Sequence, residues 1–199
     1  MKSIYIYGAS GHGLVVADIA MANGYEQIIF IDDGDNEYLS FNDIKENTNI
    51  PISLGIGSNR VRKVLFDKLK SYKFEIETLV HPSSIVSNSA KIGKGTVIMP
   101  NVVVNAKALV GDAVILNSSC VVEHECKIGN FSHISPNVAL AGNVIVNDFT
   151  HIGIGSSIIQ GVIIGKNCII GAGSVVVKNI NNNKKAFGNP CKVIEDINE

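Results

Sequence analysis

Five histidines hold most of the acid–base chemistry open to this 199-residue chain: His12, His81, His124, His133 and His151. His124 stands between Glu123 and Glu125. If one of these carboxylates takes an imidazole N–H, the tautomer is fixed and the other ring nitrogen becomes more basic. That arrangement suits removal of a proton from an attacking nucleophile. His133 and His151 lie 18 positions apart. His12 falls inside GASGHG, Gly8 to Gly13, as a phosphate or sugar contact or as a local cap of the helix that follows, where the macrodipole disfavours its cation. Asp32 and Asp33 close the apolar run QIIFI, a place where a carboxylate commonly meets a ribose hydroxyl. The paired histidines have no obvious third ligand, and Cys120, Cys126, Cys168 and Cys191 form no CxxC pair, so no metal site is expected.

What positions these groups is a repeat. From Ile85 to Ile180 the chain reads as sixteen hexapeptides without an insertion, IVSNSA, KIGKGT, VIMPNV through to IIGAGS and VVVKNI. Every second position is aliphatic, and every sixth is small or β-branched. Each hexapeptide supplies one short strand and one turn. Three close a triangular coil of 18 residues, with the aliphatic residue inward and stacked on its equivalent one coil away. Sixteen blocks make about five coils. The three sixth-position cysteines, Cys120, Cys126 and Cys168, then serve as small buried apolar groups. His124, fourth in VVEHEC, falls at a corner and points outward. His133 and His151, both first in their blocks, stack on one face, on a different side from His124. A cleft between two subunits would bring His124 and His133 to one ligand; surface or interface packing is the plainer reading of His151.

The first eighty residues have another pattern. Apolar runs at Ser3–Tyr7, Gln27–Asp33, Pro51–Gly57 and Phe74–Val80 read as four strands. LVVADIAMANGY, stopped near Gly24, and SNRVRKVLFDKLKSY, capped by Ser58 or Asn59, read as helices. The alternation predicts a small parallel α/β sheet over residues 1–80, Rossmann-like but truncated. Its glycine spacing is GxxGxG rather than GxGxxG, which favours a mononucleotide or nucleotide sugar over NAD; tight packing alone also accounts for such a turn. His81-Pro82 reads as a turn at the boundary, with the repeat domain at 81–199.

Composition removes whole classes. Lys+Arg number 17 and Asp+Glu 18, a net charge of −1, which leaves no basic field for nucleic acid or an anionic membrane. Charged residues are 18% and hydrophobic residues 46%, which excludes disorder. The apolar runs are too short and interrupted for a membrane helix, and glycine comes too early for a signal peptide. Unpaired cysteines suit a reducing cytoplasm.

The motifs YIYGASGHG, FIDD, GIGSNRVR, LNSSCVVEHECKIGNFSHISPN, AGNV and GNPCKVI together resemble, over essentially the whole chain, the bacterial nucleotide-4-amino-sugar N-acetyltransferases and sialic-acid-type O-acetyltransferases among the hexapeptide-repeat acyltransferases. The resemblance implies a left-handed parallel β-helix, a homotrimer with sites between subunits, and acetyl-CoA as co-substrate. Carried over by motif, His124 is the base, Glu125 raises its basicity and Asn117 is a hydrogen-bonding partner. Ser10, Gly11 and His12 contact the nucleotide sugar; Asp32, Asp33 and Gly57 bind its nucleoside end; His133, Ile154 and Ala172 line the acetyl-CoA groove. The implied reaction is acetylation of the C4 amine of a nucleotide-linked, UDP-type 4-amino-4,6-dideoxy sugar, with O-acetylation of a sialic or related nonulosonic acid as the alternative. The chain departs from the family pattern at His151, where an aromatic apolar residue is usual, at Ala172 in place of glycine, and in GNPCK, where Cys191 stands for alanine.

Overall fold

The computed structural model describes residues 2–197. The N-terminal unit is a three-stranded parallel sheet in the order β2–β1–β3, with β1 at Ser3–Tyr7, β2 at Gln27–Ile31 and β3 at Ile52–Leu54. Helix α1 (His12–Ala22) links β1 to β2 and ends at Asn23, with Gly24 in the left-handed region at φ 81°. A single helical turn, α2 (Phe41–Ile44), opens at Ser40, whose backbone N–H and hydroxyl both donate to Asp43. Helix α3 (Asn59–Ser71) is capped by Ser58, whose Oγ accepts from the Val61 N–H.

The fourth strand expected at Phe74–Val80 does not join this sheet. Ile76 makes only an isolated parallel bridge to Ile52, and Leu79–Val80 pairs instead with Val97–Ile98. LVHPSS is thus already a hexapeptide of the solenoid. Its Pro and His disguise it, while Leu79 and Val80 obey the repeat. His81 Nδ1 accepts from the Ser83 N–H at 3.1 Å and pairs with its hydroxyl, as a turn residue does.

The repeat forms a parallel solenoid whose three faces run Leu79–Val80 to Ile169–Ile170, Ile85–Val86 to Val175–Val176, and Lys91–Ile92 to Ile163–Ile164. It is a left-handed parallel β-helix of about six coils, not five. The extra coil comes from the early start at Leu79 and from a last coil shortened by two residues, in which Ile180 bridges Ile164 and Ala186 pairs with Ile170. After it, Lys184–Phe187 and Lys192–Asp196 close the first face as an antiparallel pair.

The hexapeptide has a clear physical division of labour. Second-position residues such as Val104, Val122, Leu140 and Ile152 fill the axis and are at most 1% exposed. Sixth positions sit beneath the corners: Cys120, Cys126, Thr150 and Cys168 are fully buried. The hydroxyls among them bond to carbonyls fifteen residues ahead, as Thr96 does to Gly111 and Ser132 to Asn147. Fifth positions from Gly95 to Gly173 all adopt positive φ, including residues that resist it, such as Glu125 at 61° and Phe149 at 60°. Each such residue costs on the order of 1 kcal/mol or more, held by the hydrogen bonds of neighbouring coils.

The sheet unit packs on the first face. Ile4, Ile6, Val16 and Ile19 share one continuous apolar core with Val97, Ile115 and the solenoid axis. Arg62 of α3 pins the junction. It is 1% exposed and donates to the carbonyls of Ala113, Phe131, Ser132, Ile56 and Gly57 and to Asn59 Oδ1. Burial among these neutral acceptors lowers its pKa to about 9.

Candidate active site

His124 occupies the corner between the second and third faces. Its Nδ1 lies 3.2 Å from Glu125 Oε2, while Glu123 accepts the His124 backbone N–H at 3.3 Å. Of the two flanking carboxylates it is therefore Glu125 that orients the ring. With the Nδ1 proton held there, Nε2 is left with a free lone pair. The imidazole lies on Gly142, its counterpart one coil later. A Cβ built on Gly142 would come within 2.5 Å of both Nε2 and Cε1. Only glycine leaves the ring its place. The side chains of His124 and Glu125 are each more than half exposed. His124 lines a shallow groove with Ala141, Gly142, Gln160 and Gly161.

A second histidine group lies on the first face, against the sheet unit. The rings of His133 and His151 stack at 4.7 Å between centroids, and His12 approaches His133 at 6.5 Å. Hydrogen bonds run diagonally up the face, from Asn117 Nδ2 to His133 Nε2 at 3.1 Å and between Ser135 Oγ and His151 Nε2 at 2.9 Å. His133 Nδ1 and His12 Nε2 are buried without a partner in the chain. Burial lowers all three pKa values, to about 4 for His12 and about 3 for His133. Positive charge adds to this: Arg62 acts on all three, and His151 acts most on His133 after burial. For His12 the direction matches the sequence expectation, but the causes are burial and Arg62. These imidazoles are neutral at pH 7, hydrogen-bonding groups rather than cations.

The glycine turn divides its tasks. A Cβ on Gly13 would fall 1.9 Å from the Gly8 carbonyl oxygen, so this glycine permits close packing of α1 on β1. Gly11, at φ 39°, faces open space beside exposed Ser10. Asp32 accepts from the Ala9 and Gly34 N–H groups and from Asn36, bonds that hold its carboxyl below the usual range. Asp33 is committed within the chain. One oxygen takes the Tyr7 hydroxyl and Lys68 Nζ, and the other takes the Phe41 N–H. Burial pushes its pKa up, but these bonds prevail and hold it low. Tyr7, Gly8, Asp32, Asp33, Ile56 and Val61 line a pocket of about 210 Å³. Gly57 is exposed at its edge, its carbonyl held by Arg62.

Ile154 and Ala172 occupy equivalent places one coil apart on the corner between the first and second faces. The Gly173 N–H donates to the Ile154 carbonyl at 2.8 Å. Both side chains are exposed, Ile154 at 52%. Cys191 is half-buried near the top of the second face, its N–H bonded to the Val175 carbonyl.

Within one chain, then, His12, Asn117 and His133 come together, as do His124 and Glu125, but the two groups lie on different sides of the solenoid. Sequence reading missed Gly142 and Arg62. The first is marked by its place 18 residues after His124, the second by its place in GIGSNRVR. Among the described residues no group of three or more His, Cys, Asp or Glu is placed to hold a metal ion, and no helix is long and apolar enough to cross a membrane.

Residues 3–69 match the PglD N-terminal domain family, and residues 143–178 match the bacterial transferase hexapeptide family. A UDP-N-acetylbacillosamine N-acetyltransferase of Bacillus subtilis is 35% identical over 111 residues, 48% of this chain; the match spans half of that protein's length. The acetyltransferase domain of PglB from Neisseria gonorrhoeae superposes with a TM-score of 0.91 at 34% identity, covering 98% of this chain and 100% of the other; the same domain is also solved with acetyl coenzyme A. A histidine-to-alanine mutant of GDP-perosamine N-acetyltransferase from Caulobacter crescentus, in complex with CoA and GDP-perosamine, superposes with a TM-score of 0.93 at 31% identity, covering 98% and 97%. With the sheet unit, the β-helix and the whole-length likeness all in agreement, the chain belongs to the PglD-type family of acetyl-CoA-dependent, hexapeptide-repeat sugar N-acetyltransferases.

Proposed function

We propose that the protein transfers an acetyl group from acetyl-CoA to the C4 amine of a UDP-linked 4-amino-4,6-dideoxy sugar, directly and with His124 as general base. The observation that carries this reading is the His124 imidazole, seated on Gly142 with Nδ1 facing Glu125 and Nε2 free. The neutral amine attacks the thioester carbonyl. Nε2 accepts the amine proton, directly or through a water, and a backbone N–H in the cleft stabilises the oxyanion. The CoA thiolate then leaves and takes up a proton. Transfer needs no acyl-enzyme. Consistently, Cys120, Cys126 and Cys168 are buried, and burial pushes the Cys120 thiol up to about 12.

The nucleotide sugar takes the pocket at the end of the sheet, with its nucleoside toward Asp32 and Asp33 and its sugar toward Ser10, Gly11 and His12. Because Asp33 already holds Tyr7 and Lys68, Asp32 is the better placed of the two for a ribose hydroxyl, and Asp33 acts by keeping the pocket wall fixed. Acetyl-CoA runs along Ile154 and Ala172 toward His133 and Asn117. Ile154 and Ala172 lie at one edge of the second face and His124 at the other. That face presents Ile85, Val103, Val121, Ala139 and Val175 outward with Ser157 its one polar residue at these positions, whereas the third mixes Leu109, Ile145 and Ile163 with Lys91 and Lys127. Three copies with their second faces toward a common axis would set the His124 corner of one against the Ile154 corner of the next. We read the assembly as a cyclic trimer with shared sites on this ground.

The test is thiol release from acetyl-CoA with UDP-, dTDP- and GDP-linked 4-amino-4,6-dideoxy sugars and free nonulosonic acid. The reading predicts turnover of the UDP-linked amine. Turnover of the free nonulosonic acid alone would replace N-acetylation with O-acetylation.

A further inference from the structure

The third corner of the solenoid, between the third and first faces, carries a feature that acetyl transfer does not use. Its fifth-position residues are Gly95, Ala113, Phe131, Phe149 and Asn167, all with positive φ. Glycine and asparagine take that conformation readily and phenylalanine does not. Phe131 has a reason in packing, since it is 6% exposed and stands edge-on to Phe66 at 5.5 Å. Phe149 packs against the same cluster, but only in part. One ring face stacks on Phe131 at 5.3 Å, but the residue is only half-buried and lines a pocket of about 280 Å³ with Arg60, Lys166 and Asn167.

None of these four residues is acidic. Arg60 and Lys166 take part in none of the ion pairs among the described residues, whereas nearby Lys63 is neutralised by Asp67. Lys166 Nζ stands over the Phe149 ring, 5.6 Å from its centre, so a base stacked there shares the face with this cation. The walls are fixed. Asn59 donates to the Phe149 carbonyl at 2.9 Å, Asn182 Oδ1 accepts the Lys166 N–H at 2.8 Å, and Asn167 Nδ2 donates to Asn183 at 3.0 Å. That last bond leaves Asn167 Oδ1 as an acceptor. The pocket therefore offers a flat aromatic face, two cations and one amide oxygen.

We propose that this pocket is a binding site for a nucleoside phosphate, with the base stacked on Phe149, its amino group on Asn167 Oδ1 and the phosphate between Arg60 and Lys166. A bare phosphate would leave the strained aromatic face without a role, and an uncharged ring would leave the cations without one. The site lies on a different corner from His124 and from Ile154 and Ala172. A free nucleotide and the nucleotide end of CoA present the same chemistry.

The probe is ADP, titrated calorimetrically into the full-length protein with and without saturating CoA. Wild type should bind ADP, and Phe149→Asn and Arg60→Gln should each weaken it by about tenfold or more. Binding that persists under CoA identifies a free nucleotide as the source; binding that CoA displaces, with the same loss in both variants, identifies the CoA end. Phe149→Asn loses the stack on Phe131 but places at φ 60° a residue that suits it, so it should melt close to wild type. Absence of ADP binding to wild type, or equal binding by wild type and both variants, would overturn the proposal. So would a lowered melting temperature in Phe149→Asn with ADP binding unchanged in Arg60→Gln, which would make Phe149 a packing residue.

Discussion

At the scale of single residues, the arrangement around His124 depends on space as much as on charge. Glu125 holds Nδ1 from a position where its own backbone is at φ 61°, a conformation that glycine or asparagine would take at lower cost. Gly142 supplies the space for the ring. A Gly142→Ala substitution adds one methyl where Nε2 and Cε1 already lie, so it must displace the imidazole while leaving the coil's backbone bonds in place. We expect kcat to fall at least tenfold with little change in melting temperature, measured by thiol release and thermal unfolding. A variant with wild-type kcat would show that the ring position does not matter. The EHE triplet made His124 legible in the sequence. The triplet alone left open which glutamate serves the ring, because that depends on the left-handed turn at position 125; only the resemblance named Glu125.

At the scale of elements, the solenoid was legible because its signal repeats in every block, down to the buried sixth-position cysteines and threonines. Its ends were not. LVHPSS looks like the tail of the preceding sheet, and the last coil drops two residues and so leaves the eighteen-residue register. The junction was also hidden, since no local pattern shows that Arg62 will be buried against carbonyls of another domain. The stacked histidines at that junction give it a pH dependence. The unfolded chain binds protons at these side chains below about pH 6.5, whereas the folded chain binds them at His12 only near pH 4 and at His133 only near pH 3. Unfolding therefore takes up protons, and stability falls as pH drops through that window and is fully kept above it. Melting temperatures measured from pH 7.5 to 4.5 should decline, and less steeply in a His133→Asn variant. A flat profile would show that the histidines are not buried neutral.

At the scale of the whole molecule, one chain carries both halves of the proposed site but holds them apart. His124 lies at one edge of the second face and Ile154 and Ala172 at the other. If cyclic assembly joins them, His124→Ala and Ile154→Asp chains should each be inactive alone, yet recover activity when co-expressed. Hybrid assemblies then contain sites with an intact His124 from one chain and an intact Ile154 from its neighbour. No recovery would place the whole site within one chain. The central claim is that His124 takes the proton, and the most direct measurement is kcat for acetyl transfer to the UDP-linked amino sugar by wild type and His124→Ala, with acetyl-CoA binding followed in parallel. The account predicts a fall of about 10²–10⁴-fold in kcat with acetyl-CoA affinity little changed. A variant that turns over within a few-fold of wild type would contradict it.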